Sequence, residues 1–174
     1  MRDLAASVTG CAVATAFGTS VAGNVEALFR GECAFSAPRH FDAKGRQLGI
    51  DHELDAGAGS RAERLLEKLR AGMDFKIPAG TSLFVATTVG AIDRLERGEE
   101  LDTSLEFLHL AERIFGVKNG ILVSAACASG QCAAGLVQTY FMISTYVSVL
   151  CFCCLVVASF SPMYIFVSII IISY

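Results

Sequence analysis

Charge is scarce in this sequence, and the charges that are present form no basic cluster. Charged residues make up 18% of the 174 residues, the formal net charge is −3, and no charged side chain follows Lys118. Proteins that bind nucleic acid carry a basic patch that neutralises phosphates, so we predict no nucleic-acid partner. The glycine patterns of a Walker A loop and of a Rossmann dinucleotide site are absent as well.

Histidine is also scarce. His40, His52 and His109 share no spacing typical of metal ligands, and His109 falls inside a predicted helix, so all three are interpreted as surface residues. Cys127 and Cys132 lie five positions apart on what should become a helix, which turns their side chains away from a common metal. We therefore predict no metal and no cofactor.

The seven cysteines do not form an evenly paired set. Cys151, Cys153 and Cys154 lie together in one apolar run, and Cys11 and Cys33 are interpreted as small core residues. This usage favours a reducing compartment over a disulfide framework. We accordingly expect the globular part of the chain to be cytoplasmic.

A long uncharged segment follows the globular part. Charges alternate with apolar positions up to Lys118, and the chain has an ordinary globular composition up to about Leu136. Beyond Val137 it reads QTYFMISTYVSVLCFCCLVVASFSPMYIFVSIIIISY. As a helix, Tyr140 to Phe160 would extend about 30 Å, which matches the hydrocarbon core of a bilayer. This predicts two regions, a domain over residues 1–136 and an apolar tail over residues 137–174 that spans a membrane. No flanking Lys or Arg orients the tail.

Two other interpretations of the tail stay open. Its β-branched runs, such as FVSIIII, also fit buried strands. Alternatively, a misread gene boundary or a frame shift appended unrelated sequence to a truncated domain. At the other end, LAASVTGCAVATAF is interpreted as a buried strand and its turn rather than a signal peptide, because Asp3 cancels Arg2 and Thr9-Gly10 interrupts the run.

Strands and helices alternate along residues 1–136. Leu4 to Val8 suits a strand, and a helix is predicted from the N-cap Ser20 to Arg30, with Gly31 at C′. Capping boxes begin two further helices, and SLFVATT suits a strand covered on both faces. The capping boxes pair Ser60 with Glu63 and Thr103 with Glu106. This order predicts a layered α/β domain.

The segment GILVSAACASGQC, Gly120 to Cys132, carries the clearest chemical signal. GILVSA predicts a strand and ASGQCAAGLV a helix, which places Cys127 at the junction. A cysteine there meets the positive end of the helix dipole and free backbone N–H groups, which favour the thiolate and lower its pKa. The same N–H groups can hold the oxyanion formed when a thiolate attacks a thioester.

VSAACASGQCAAGL resembles the active-site segment of the β-ketoacyl synthases, the condensing enzymes of fatty acid and polyketide synthesis. The opening VTGCAVATAFGTSVAGNVEALFRGECAF, followed by RHFDAKG, is similar to the start of the elongating branch of that family, and SLFVATTVGAI fits one of its strands. The resemblance covers about residues 5 to 136. It implies the N-terminal half of a thiolase-like layered α/β fold.

The resemblance also implies a chemistry for one residue. Cys127 would take an acyl group from acyl carrier protein or coenzyme A, and its own N–H would supply half of the oxyanion hole. The two catalytic histidines of the family lie C-terminal to this cysteine, whereas all three histidines here precede it. We therefore expect a β-ketoacyl synthase-like acyltransferase, homodimeric as in the family, that does not condense substrates as this chain alone. The alternatives are a non-catalytic, membrane-tethered thiolase-like partner protein and a mistranslated product.

Overall fold

Helices and strands alternate along most of the chain. The structure, a computed structural model, describes residues 7–39, 42, 44–55, 59–125, 128–143, 148–157 and 164–173. The strands are β1 (Ser7–Ala14), β2 (Phe35–Ser36), β3 (Leu48–Gly49), β4 (Ser82–Thr87), β5 (Ile121–Val123), β6 (Ser148–Val157) and β7 (Tyr164–Ser173). The helices are α1 (Val21–Phe29), α2 (His52–Asp55), α3 (Arg61–Ala71), α4 (Ile92–Glu96), α5 (Thr103–Phe115) and α6 (Ser129–Ile143).

Five strands form one mixed sheet in the order β1-β7-β6-β4-β5. β4 is parallel to both of its neighbours, β5 and β6, whereas β7 is antiparallel to β6 and to β1. The short strands β2 and β3 pair separately. The carboxyl ends of β4 and β5 therefore lie at the same edge of the main sheet.

Helices cover β4 on both faces. Leu83 and Val85 are buried in a cluster with the apolar sides of α3 and α5. Phe84 and Ala86 alternate with them along the strand, so they point to the other face, and both are buried. α6 packs on β4 as well as on β5 and β6. The prediction of a strand covered on both faces is confirmed.

The helix starts follow the sequence closely, with one correction. The Ser20 hydroxyl accepts a hydrogen bond from the Gly23 N–H at 3.0 Å, and that of Ser60 accepts from the Glu63 N–H at 3.4 Å. The third cap is Asp102, not Thr103: its carboxylate accepts from the N–H groups of Ser104 and Leu105. A carboxylate one residue earlier reaches both free donors, so Thr103 becomes the first helical residue.

The tail contributes strands to the sheet. α6 continues from Ser129 to Ile143, and residues 148–157 and 164–173 are β6 and β7, in place of one continuous helix from Tyr140 to Phe160. Among the described residues, no helix is both long and apolar enough to cross a membrane. β6 contains three valines and β7 contains five isoleucines and a valine, and β-branched side chains favour extended backbone. The division of the chain at residue 136 stays a prediction.

Two surface features differ from the expectations. Cys11 and Cys33 are exposed and not core residues, because neither position faces the cluster between the sheet and α3. Val21, Val25, Leu28 and Phe29 recur at helical spacing, which predicts one buried face of α1, but all four are exposed, most of all Leu28 and Phe29. One apolar face in a sequence therefore does not ensure that the helix packs against the core.

Candidate functional site

The strand, turn and helix predicted around Cys127 are present on both sides of it. Ala126 and Cys127 themselves lie outside the described residues. β5 ends at Val123 and α6 begins at Ser129. Between them the Ala128 N–H donates a hydrogen bond to the Ala125 carbonyl at 3.0 Å. The chain thus enters α6 two residues after Cys127, as the sequence predicts.

Ser129 links this turn to the neighbouring strand. Its side chain is buried, with 1% of the residue exposed. The Ser129 hydroxyl oxygen accepts a hydrogen bond from the Ala125 N–H at 2.8 Å, and the hydroxyl donates to the Thr87 carbonyl at 3.2 Å. Nothing in the local sequence pairs Ser129 with Thr87, which lies 42 positions earlier. The available signal was a serine at a helix start, where hydroxyls commonly satisfy backbone donors.

Hydrogen bonds also hold the end of β4 in place. Thr87 is fully buried, and its Oγ1 accepts from the Gly90 N–H at 2.9 Å. Gly90 has φ +60°, and a Cβ there would overlap the Thr103 carbonyl oxygen, so only glycine fits. The next N–H, of Ala91, donates to that same carbonyl at 2.8 Å. The β4 end is thereby held against the start of α5.

Both turns lie at the carboxyl edge of the parallel strands β4 and β5. This is the edge at which open α/β sheets bind ligands. Because no charged residue follows Lys118, the electrostatic field at the start of α6 comes from backbone dipoles and not from nearby side-chain ions on that helix.

The histidines occupy other parts of the fold. His40 lies outside the described residues. His52 begins α2, and its Nε2 is 2.8 Å from the Ser36 hydroxyl oxygen, so it is part-buried and not a free surface residue. His109 is exposed on α5, as predicted. The described contacts bring neither His52 nor His109 to the β5–α6 turn.

Metal ligands do not come together either. Within the described ranges no group of three or more His, Cys, Asp and Glu residues could hold a metal ion. Cys132 is exposed on α6. The cysteines at 151, 153 and 154 lie on β6, whose backbone pairs with β4 and β7.

A second polar region lies between α3, α4 and α5. It surrounds a cavity of about 320 Å³ lined by Ser60, Glu63, Arg94, Arg97, Glu99, Glu106, Leu110 and Arg113. The hydrogen bond from Arg94 holds the pKa of the Glu99 carboxyl below its usual range. Arg97 lies 3.0 Å from Glu99, and Arg113 lies 2.7 Å from Glu63. Each lining arginine is paired with a carboxylate, so the network joins the helices and leaves no net charge for a ligand.

No family model matches the sequence, and no curated protein does. Solved structures do match. A ketosynthase from module 6 of the bacillaene synthase of Bacillus subtilis aligns with a TM-score of 0.62 and 9% identity, over 97% of this chain and 37% of that chain. The ishigamide ketosynthase/chain length factor gives 0.63 and 13% identity, over 97% and 62% of the two chains.

A β-ketoacyl synthase from Burkholderia phymatum gives a TM-score of 0.56 and 13% identity, over 97% of this chain and 58% of that chain. This chain therefore spans between 37% and 62% of the length of these ketosynthases. At identities this low the match concerns the fold alone. The layered α/β fold that the Cys127 segment implied is confirmed: this chain shares the thiolase-like fold of the ketosynthases.

Proposed function

We propose that this chain is a β-ketoacyl synthase-like acyltransferase that carries an acyl thioester on Cys127. The donor is an acyl group on acyl carrier protein or on coenzyme A. The observation that carries the proposal is the start of α6 at Ser129, two residues after a cysteine in an Ala-Cys-Ala-Ser sequence, at the carboxyl edge of a ketosynthase-type sheet. Helix starts supply both a positive dipole end and unpaired N–H groups.

The proposed step is a thioester exchange. The Cys127 thiol loses its proton to solvent, and the thiolate attacks the carbonyl carbon of the donor thioester. The carbonyl oxygen becomes an oxyanion that backbone N–H groups at the helix start stabilise. The bond from carbon to the donor sulfur then breaks, and the donor leaves as a thiol after taking up a proton. The acyl group remains on Cys127.

Condensation is not included in the proposal. In the family that the sequence resembles, decarboxylation of the malonyl extender needs two histidines that follow the cysteine. His52 is paired with Ser36, and His109 lies exposed on α5. Removing one electrostatic donor of this kind typically costs about 3 to 4 kcal/mol, a hundred- to thousandfold in rate. We therefore expect acylation without a β-ketoacyl product, and the homodimer of the family stays a prediction.

The test is intact-protein mass spectrometry after incubation of the full chain with an acyl-coenzyme A or an acylated carrier protein. We expect one acyl group per chain in the parent protein and in the control Cys132→Ala, which loses an exposed thiol on α6. Cys127→Ala should carry none. Labelling that persists in Cys127→Ala, or no labelling of a folded parent chain by either donor, would show that the proposal is wrong.

A further inference from the structure

Helix α1 presents large apolar side chains to solvent. Within α1, every residue of which the structure describes, only Ala27 is buried, and it marks the side of the helix that faces the domain. Val21, Val25, Leu28 and Phe29 are 38%, 46%, 74% and 86% exposed. Single exposed apolar residues are normal on a protein surface, whereas a contiguous group of them marks an interaction site. We name these four residues the α1 face.

Two opposite charges lie beside the α1 face. Each residue turns a helix by about 100°, so Glu26 and Arg30, which directly follow Val25 and Phe29, lie on one flank of this face. Their side chains are 63% and 60% exposed, and they form an ion pair with each other. An exposed pair of this kind adds little to stability, so either charge is available to a partner.

The charge pattern indicates which partner fits the α1 face. A partner of one charge sign would be attracted by Glu26 or Arg30 and repelled by the other. The α1 helix of a second copy that runs in the opposite direction instead presents a cation where the first copy presents an anion. The surface is therefore complementary to itself.

We propose that the α1 face is a docking surface for a second copy of this chain, with the two α1 helices packed antiparallel about a two-fold axis. Around such an axis the same flank of both helices lies on one side of the contact. When Val25 is level with Phe29 of the second copy, Glu26 is two residues, about 3 Å, from the level of Arg30 of the second copy. Two long side chains span this offset, and each contact occurs twice.

The expected contact is small. α1 has nine residues, which makes it about 14 Å long. Stable interfaces bury about 800 Å² on each partner, an area that one short helix does not reach. We therefore expect a reversible dimer that forms at micromolar concentrations and above. This proposal does not depend on acyl transfer, and it assigns a surface to the expected homodimer.

Sedimentation velocity of the full chain against protein concentration tests the apolar part of the contact. The parent chain is compared with Phe29→Glu and with the control Leu105→Glu, which places the same charge on α5 at a leucine that is 43% exposed. We expect the parent chain and Leu105→Glu to dimerise alike as the concentration rises. Phe29→Glu should associate at least about 100-fold more weakly, because a two-fold contact loses both phenylalanines.

Charge reversal tests the antiparallel arrangement. Glu26→Arg leaves two cations on the flank and Arg30→Glu leaves two anions, so each variant alone should associate at least about 10-fold more weakly than the parent chain. An equimolar mixture of the two variants should recover the dimer, because one copy supplies the cations and the other the anions. Recovery in the mixture requires that both variants are folded.

Several results would overturn the proposal. A parent chain that stays monomeric up to about 100 µM has no such docking surface. A dimer that persists in Phe29→Glu forms through another surface, and an equal loss in Leu105→Glu means that the added charge, and not the α1 face, decides association. Charge variants that behave alike alone and in the mixture lack the expected ionic contacts.

Discussion

Residues up to Lys118 and residues after it differ sharply in composition, yet both contribute strands to one sheet. All charged residues of the chain lie in the first region. The second region supplies β5, β6 and β7, and two of these, β6 and β7, are inner strands of the order β1-β7-β6-β4-β5. A change of composition along a chain therefore does not by itself mark the limit of a folded unit.

The difference has a physical explanation in where each region lies. An inner strand has hydrogen-bonded neighbours on both sides, and strands covered on both faces read as nearly continuous apolar runs. Helices α3, α4 and α5 instead have one face in water, and their charges form pairs such as Arg113 with Glu63 across helices. The first region thus carries both the apolar cluster and the ionic network. The second supplies three of the five strands of the main sheet, and no strand of that sheet contains a charged residue.

The strongest test of this comparison removes the second region. A chain that ends at Leu136 lacks β6 and β7, which separate β1 from β4 in the sheet. We expect it to lose the cooperative thermal transition of the full chain, because β1 has no described partner strand left to pair with. Circular dichroism against temperature measures this. A cooperative transition in residues 1–136 would show that the first region folds without the tail.

Two leucines sharpen the comparison between packed and unpacked helices. Leu66 on α3 is 0% exposed, and Leu28 on α1 is 74% exposed. Leu66→Ala should lower the free energy of unfolding by about 2 to 5 kcal/mol, since it leaves a cavity in the core. Leu28→Ala should change it by less than about 0.5 kcal/mol. Urea unfolding of both variants measures the contrast, and equal losses would mean that α1 is packed in solution.

Asp93 tests the buried part of the ionic network. Its carboxylate, 5% exposed, accepts from the Arg61 N–H at 2.7 Å and from the Ser60 hydroxyl at 3.3 Å. Asp93→Ala leaves these donors at the start of α3 without that acceptor, so we expect a loss of about 1 to 3 kcal/mol. Glu96→Ala, which removes an exposed partner of Arg61, is the control and should cost under about 1 kcal/mol. A smaller loss for Asp93 than for Glu96 would contradict the capping role.

Substitution of Glu99 should have the smallest effect on stability, and that effect depends on pH. The pKa of its carboxyl is lowered, chiefly by the hydrogen bond from Arg94. A lowered folded-state pKa adds stability above the unfolded value, about 4.3, and that stability is lost as the pH falls through the folded value. The parent chain should therefore lose more thermal stability than Glu99→Gln between pH 6 and pH 3. Parallel curves for the two proteins would exclude a stabilising role for this pair.

Local features of the sequence predicted much of the first region. Ser20 and Ser60 are N-caps because a backbone N–H in the first turn of each helix donates a hydrogen bond to the serine hydroxyl. The apolar run of β4 is covered on both faces, and a strand, a turn and a helix surround Cys127. Asp102 was missed as a cap because Thr103 and Glu106 also match a capping box, and only the folded backbone selects between the two.

Sequence alone determined the elements whose causes lie within a few residues: caps, turns, the burial of β4 and the helix that begins after Cys127. Tertiary structure alone decided that the tail strands pair with β4 and β1, that Asp93 caps α3 and that Ser129 bonds to Thr87. These contacts join residues more than 30 positions apart. Local sequence leaves them open because a β-branched run, a buried carboxylate or a serine hydroxyl can satisfy its backbone and packing needs with many partners, and the fold selects among them.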